Sequence, residues 1–225
     1  MTARLVHTII GPAKRVLRHN ALTGTIYGIQ QLLFSRKSYL RRLGWWSSFR
    51  AKSPVDSRGL PIPWLSYPAI EFLVARIQPE WCVFEYGSGN STLWWAARVS
   101  NVVSCEHDSE WASFVEANRP ENVTLLVKTV EDGSYAAAIQ PYEECFDVVV
   151  VDGECRRDCV PFIERALNPG GFIVFDNTDR PKNQPATKQL EESGFKRVDF
   201  IGQVPGSVHT DATSVFYRAN NCIGL

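Results

Sequence analysis

Four acids and a pair of glycines carry the chemistry that can be read from this chain. Glu85-Tyr86-Gly87-Ser88-Gly89-Asn90-Ser91-Thr92 follows the apolar pair Val83-Phe84 and opens into Leu93-Trp94-Trp95-Ala96-Ala97. An acid, two glycines spaced by one residue and a helix-forming segment read as a strand, a tight turn and a helix start. Gly87 and Gly89 lack a Cβ, so a ligand can approach the backbone of the turn. The N–H groups of the following helix face the same space. A second acid, Glu106, ends the apolar run Val102-Val103-Ser104-Cys105, 21 positions after Glu85. A carboxylate at that separation, at the tip of the next strand, is placed for ribose hydroxyls. The expected ligand is of adenosine type.

The turn also discriminates among such ligands. A dinucleotide fingerprint has glycine or alanine three positions after the second glycine; here Thr92 stands there. Glu85, two residues before Gly87, would repel a pyrophosphate and suits a ligand carrying a cation. The run resembles the first motif of class I S-adenosylmethionine-dependent methyltransferases, acid-x-Gly-x-Gly. The resemblance implies S-adenosyl-L-methionine as cofactor. Glu85 would lie near its methionyl end, Gly87, Ser88, Gly89, Ser91 and Thr92 around it, and Glu106 on its ribose. Two other classes stay open. A nicotinamide-dependent oxidoreductase is disfavoured by Thr92 and by the lack of an evident tyrosine–lysine hydride pair. A non-catalytic adenosyl-binding module that scaffolds a partner is disfavoured by the retention of Glu85, Glu106, Asp152 and Asp176.

The elements that must position these residues alternate. Strands are expected near 81–85, 102–106, 123–128, 146–151 and 172–176, with helices near 91–99, 109–117, 134–140, 155–168 and 184–193. Such alternation is the doubly wound signature. The last two strands, Lys196 to Gly202 and Thr213 to Ala219, have no helix between them and read as an antiparallel hairpin. The expected fold class is α/β: a Rossmann-like, mostly parallel seven-stranded sheet with a C-terminal hairpin and an N-terminal helical appendage. Residues 69–225 would form the methyltransferase domain and 1–68 the basic arm and its connector.

The third strand leads to Thr129-Val130-Glu131-Asp132-Gly133. The resemblance implies that this turn faces the adenine, with Val130 on the ring and Glu131 or Asp132 on its amino group. The fourth strand, Phe146-Asp147-Val148-Val149-Val150-Val151, ends in Asp152. Its valine run suits a strand buried on both faces. The fifth ends in Phe175-Asp176-Asn177, and open α/β sheets bind ligands at such carboxyl ends. Two carboxylates and an amide oxygen are hard ligands of the kind Mg²⁺ or Ca²⁺ takes. The set resembles the cation-dependent O-methyltransferases, catechol O-methyltransferase among them. This implies Asp152, Asp176 and Asn177 as ligands of Mg²⁺ or another divalent cation, and transfer to oxygen. The lysine expected three residues after the first aspartate is replaced by Cys155. Asp152 is then the candidate base, with Arg156 and Asp176 beside it in the catalytic set. Arg156 or Arg180 would fork onto an anionic group of the acceptor, although Arg156 and Arg157 read equally well as surface charges. Trp64 and Tyr67 of the connector would cover the cofactor mouth or line the acceptor pocket, or equally only pin the connector to the core; His209, on the hairpin loop, would reach the site or simply stand exposed.

Charge is distributed unevenly. Residues 1–60 hold eleven of the 24 Lys and Arg but only one acid, Asp56, although the whole chain is formally neutral. Two short amphipathic helices are expected in 1–43, broken near Gly11-Pro12 and around Gly24 and Gly28, and Gly44 to Pro68 reads as a proline-rich loop. A basic face suits an anionic membrane surface; packing of the arm on the domain is the alternative. No aromatic–basic interleave suggests a nucleic-acid partner. Six cysteines without metal or disulfide spacing, no signal sequence and no long apolar run point to a cytoplasmic protein, peripheral at the inner membrane face. The connector and the Glu85–Thr92 turn together are similar to bacterial methyltransferases associated with surface polysaccharide synthesis. That likeness implies a small or glycan-type acceptor, anionic or lipid-linked.

Overall fold

The computed structural model describes residues 21–35 and 37–225. Strands Cys82–Tyr86 (β1), Asn101–Glu106 (β2), Val123–Val127 (β3), Phe146–Val151 (β4), Leu167–Asp176 (β5), Lys196–Gln203 (β6) and Thr210–Tyr217 (β7) form one sheet in the order β3-β2-β1-β4-β5-β7-β6. The first five run parallel; β7 pairs antiparallel with both β5 and β6. The order reverses between β1 and β4, so the loops leaving their carboxyl ends diverge and open a crevice. Alternate side chains of the central strands serve two cores. Val148 and Val150 join Trp94, Trp95 and Phe172 on one face. Val149 and Val151 join Phe84, Tyr86 and Phe175 on the other. A strand covered on both sides has no place for polar alternation, which explains the valine run.

The helices are Ala21–Phe34 (α1), Tyr39–Leu43 (α2), Trp45–Ala51 (α3), Tyr67–Val74 (α4), Asn90–Ala96 (α5), Ser109–Ala117 (α6), Arg156–Cys159 (α7), Ile163–Ala166 (α8) and Gln184–Glu192 (α9). Several expectations are corrected. α1 runs straight through Gly24 and Gly28. Each glycine costs about 1 kcal/mol relative to alanine in a helix, which the proline-free segment tolerates. The break near Gly11-Pro12 lies outside the described residues. The connector is not all loop: its proline-free start coils into α3, where Trp45 stacks on Phe49 at 5.4 Å. The segment 134–140 yields only a 3₁₀ turn, Ala136–Ile139, and Pro161 splits the expected 155–168 helix into α7 and α8. β5 begins at Leu167 rather than 172. Its pairing with β4 jumps from Phe146↔Leu167 to Val148↔Phe172, so Asn168-Pro169-Gly170-Gly171 forms a bulge.

The connector is bound into the domain. Trp45, Ile62 and Leu65 belong to the same core as β1 and β4, and the Trp45 indole donates to the Ser207 carbonyl at 2.6 Å. Buried Ser66 caps α4: its hydroxyl accepts from the Ala69 N–H and donates to the Phe200 carbonyl at 2.7 Å. Its own N–H donates to the Thr213 hydroxyl at 3.0 Å. Ser66→Ala removes the cap and leaves a buried carbonyl unpaired, so it should lower stability by about 2 kcal/mol. Urea unfolding measures this; an unchanged midpoint would contradict the capping account.

Candidate active site

The crevice begins where two turns touch. Gly87, at φ 91, and Gly153 lie backbone to backbone: a Cβ on Gly153 would stand 2.9 Å from the Gly87 nitrogen and 1.9 Å from the Tyr135 hydroxyl. A Cβ on Gly87 would come within 3.0 Å of the Asp152 carbonyl. Gly87 therefore serves the packing of the β1 turn on the β4 turn as well as open space for a ligand. Thr92, one turn into α5, accepts from the Gly89 N–H at 3.0 Å and donates to Glu85 at 2.5 Å. That is why threonine occupies the position a dinucleotide fold gives to glycine.

Glu85 is fully buried. One carboxylate oxygen takes the Thr92 and Ser104 hydroxyls, while Oε1 has no hydrogen-bond partner. Burial pushes its pKa up to about 7, against the opposing hydroxyls of Ser91, Thr92 and Ser104. Glu106 is the opposite case. Its Oε2 accepts from the Ser88 N–H and hydroxyl, both at 2.9 Å. Its Oε1 accepts from the His107 and Asp108 N–H groups, with His107 Nδ1 at 2.9 Å. A ligand hydroxyl reaches Glu106 by replacing the Ser88 hydroxyl or the His107 ring, the two donors free to rotate.

The crevice encloses about 580 Å³ and gathers Ser88, Ser91, Glu106, Asp152, Asp176 and Asn177 around the turn, a volume suited to a drug-sized ligand. Trp64 and Arg180 stand on its wall. Tyr67 does not: it is buried in the core. Val130 packs against the opposite core, Glu131 is exposed away from the wall, and His209 is an exposed loop residue. The turn after β3 thus lies off the crevice. The sequence reading missed Trp111, whose indole donates to the Ser88 carbonyl at 2.8 Å and whose ring borders Gly89. Its signal in the sequence was a tryptophan five positions after Glu106, in the first turn of the expected helix 109–117. Missed too were Asp211 and Asn90. The Asn90 amide donates to Ser53 at 2.9 Å and to the Pro54 carbonyl at 2.7 Å, drawing Lys52-Ser53-Pro54 onto the crevice rim.

Between β4 and β5 the decisive group is Arg156. The chain turns through Cys155, at φ 46, and the guanidinium folds back over both strand ends. Nη2 donates to Asp152 at 2.9 Å, Nε to the Gly153 carbonyl at 2.9 Å, and Nη1 to the Asp176 carbonyl, with the Asp176 carboxylate 3.6 Å away. The Thr213 hydroxyl donates to the other Asp176 oxygen at 2.6 Å. Burial and then the Asp176 charge hold Asp152 well above the usual carboxylate range, against the pull of Arg156. Asp176 is raised as well, by burial, against the Thr213 hydroxyl and Arg156. Asn177, at φ 56, adopts the left-handed conformation asparagine tolerates, and its carbonyl accepts from the Asn183 amide at 2.9 Å.

A divalent cation does not fit this arrangement. The carboxylates that would face it already face a guanidinium and a hydroxyl donor, and adding two positive charges beside Arg156 is electrostatically opposed. Among the described residues no three His, Cys, Asp or Glu side chains gather as a metal cluster. The adenosyl ligand does fit. On the crevice wall six acids (Glu106, Asp108, Asp152, Glu154, Asp176, Asp211) outnumber Lys52, Arg156 and Arg180, which suits a ligand carrying a cation, while Glu85 and Thr92 lie buried behind that wall rather than on it, with one Glu85 oxygen unpaired.

Residues 84–178 match the model of a family described as a methyltransferase domain. Those 95 of the 225 residues carry the likeness to a methyltransferase domain. Among solved structures, this chain is similar to a precorrin-6y C5,15-methyltransferase from Geobacter metallireducens, at 15% identity over 68% of this chain and 87% of that one, TM-score 0.55. It is similar also to an S-adenosylmethionine-dependent O-methyltransferase from Thermotoga maritima, at 18% identity over 70% and 67%, TM-score 0.52. A third is the precorrin 8w decarboxylase of Methanobacterium thermoautotrophicum, at 16% identity over 75% and 97%, TM-score 0.52. At these identities the likeness speaks for the fold. No curated protein matches the sequence.

Two outcomes follow for the crevice and its turns. Folding raises the Glu85 pKa above its ordinary value of 4.5, so the stability this group allows is fully present below about pH 4.5 and is lost as pH rises through about 7. Glu85→Gln removes that loss. The ligand-free variant should be more stable than the parent by about 3 kcal/mol near pH 8, and the gap should close near pH 5; thermal melts at both pH values decide it. Gly153→Ala drives a methyl group into Tyr135 and Gly87, so it should abolish S-adenosylhomocysteine binding in calorimetry, and unchanged binding would refute the contact between the turns.

Proposed function

We propose that the protein transfers a methyl group to a hydroxyl oxygen of a small or glycan-type acceptor, without a divalent metal. The observation that carries this reading is the convergence of Asp152, Asp176 and Arg156 on the side of the crevice facing the Gly87–Gly89 turn. When bound, S-adenosylmethionine supplies the methyl group as an electrophilic sulfonium. Glu106 holds the ribose and Glu85 balances the methionyl ammonium; Ser88, Gly89 and Ser91 line the space between. Trp111, bordering Gly89, is the aromatic surface available to the adenine in place of Val130 and Glu131.

Asp152 would accept the acceptor's hydroxyl proton, leaving the oxygen to take the methyl group as the methyl–sulfur bond breaks and its electron pair returns to the sulfur. Its raised pKa brings the carboxylate nearer the basicity a general base needs. Arg156 is a positioning residue: it keeps Asp152 and Asp176 aligned and neutralises their mutual repulsion. Because its fork is occupied, an anionic group on the acceptor falls to Arg180 and Lys52 at the mouth, with Trp64 stacking on a sugar face. The arm's basic balance supports a peripheral position at an anionic membrane and a lipid-linked acceptor; among the described residues no helix is long and apolar enough to cross a membrane.

The first test is calorimetry with S-adenosylhomocysteine and with NAD; heat with NAD alone ends this reading. In a labelled-methyl assay over polyhydroxy acceptors, Asp152→Asn should lower kcat by roughly a thousandfold while S-adenosylhomocysteine binds within a few-fold of the parent. For the parent, kcat/KM should rise with pH as Asp152 loses its proton. Exhaustive EDTA should leave the rate unchanged; a loss restored by Mg²⁺ would refute the metal-free mechanism.

A further inference from the structure

Outside the crevice, the molecule carries an apolar helix face joined to a basic cavity. α1 contains no charged residue. Leu22, Ile26, Ile29 and Leu33 follow the i, i+4, i+7, i+11 spacing of one helical stripe. Ile26 is 57% exposed and Ile29 50%, with Leu32 beside them at 52%. Leu33 continues the stripe into a cavity of about 460 Å³ lined also by Arg41, Trp46, Ser47, Arg50 and Ser57. The Trp46 indole N–H is buried without an acceptor. Two guanidiniums, an orphaned N–H and two hydroxyls form a donor set for an anionic oxygen group such as a phosphate. An apolar stripe runs out of the same cavity, so the matching ligand is anionic at one end and hydrocarbon at the other.

We propose that α1 and the Arg41–Arg50 cavity dock the protein on an anionic phospholipid bilayer. Ile26, Ile29 and Leu32 enter the acyl boundary, and the cavity takes a lipid phosphate. Charge complementarity selects this occupant: among the described residues up to 60, Lys37, Arg41, Arg42, Arg50, Lys52 and Arg58 stand against a single acid, Asp56. An amphipathic element lying in the interface gains from its buried apolar face and from each nearby cation. The surface also connects to the site already described. Trp46 and Arg50 belong to α3, and Lys52-Ser53-Pro54, immediately after it, form the crevice rim. This docking deepens the lipid-linked acceptor reading, but it stands on separate residues.

The test is sedimentation of the full chain with vesicles of phosphatidylcholine alone or mixed with phosphatidylglycerol. Binding is expected to the mixed vesicles and to weaken with salt. Arg41→Gln/Arg50→Gln should weaken it roughly thirtyfold, at about fivefold per cation. Ile26→Asp/Ile29→Asp should abolish it. Intact S-adenosylhomocysteine binding shows that each variant is folded, and a parent that binds vesicles but no donor would overturn the methyl-transfer reading alone. Equal binding to neutral vesicles overturns the proposal. So does loss with the arginine pair but not the isoleucine pair, which would mark a general polyanion patch. Full release by soluble glycerol phosphate, marking a free-phosphate site, overturns it too.

Discussion

A guanidinium held between the carboxyl ends of two neighbouring strands is the interaction on which this site depends. Asp152 and Asp176 are brought together by the pairing of β4 with β5, and burial disfavours the charge of each. Without a cation between them the pair would be driven to share a proton or to splay apart. Arg156 meets both and adds two backbone carbonyls, so all three of its nitrogens are engaged at a side-chain exposure of only 12%. Removing one member of such a buried set leaves an uncompensated charge and typically costs 3–5 kcal/mol, whatever the intact set contributes. The arrangement reaches further through hydroxyls. Thr213 donates to Asp176 and accepts from Ser66, whose side chain caps α4. The connector is thereby tied to the chemistry through two hydrogen bonds.

Glu85 shows the opposite balance. Its burial is only partly compensated, and one oxygen has no partner. Leaving a carboxylate in that condition costs the ligand-free protein stability, and a cationic ligand nearby would relieve it. Binding sites often hold such locally unfavourable groups, because optimising them for folding removes what the ligand would satisfy. Glu106 differs because its neighbours saturate it. Both of its oxygens accept from neighbouring N–H groups and side chains, whereas one Glu85 oxygen accepts from none.

The N-terminal third is more than a tether. α3 inserts Trp45 into the core beneath the sheet, and the amide of Asn90 draws Lys52-Ser53-Pro54 over the crevice. The basic segment is thus covalently and sterically continuous with the rim of the site. The uneven charge is visible in the crevice itself, where six acids stand against three cations, while Arg41 and Arg50 line a separate cavity.

The sequence by itself determined the sheet, its order class and the main site acids. Strands such as Val148–Val151 admit no other burial, and strand-end acids necessarily project from the carboxyl edge of a parallel sheet. Glu85, Glu106, Asp152 and Asp176 were therefore legible before any coordinates. The tertiary structure decided what those acids meet. That Gly87 packs on Gly153, that Arg156 bridges Asp152 and Asp176, and that Trp111 borders Gly89 while Val130 and Glu131 lie off the crevice wall are contacts between residues distant in sequence or turned by a single left-handed residue. Tyr67 read as a pocket residue because an aromatic beside prolines looks like a lid, yet its register on α4 aims it at the core. Periodicity and residue type report which face of an element is covered. They carry no record of which group arrives from another element to cover it, and that pairing is set only when the whole chain minimises its buried charge and unfilled space together.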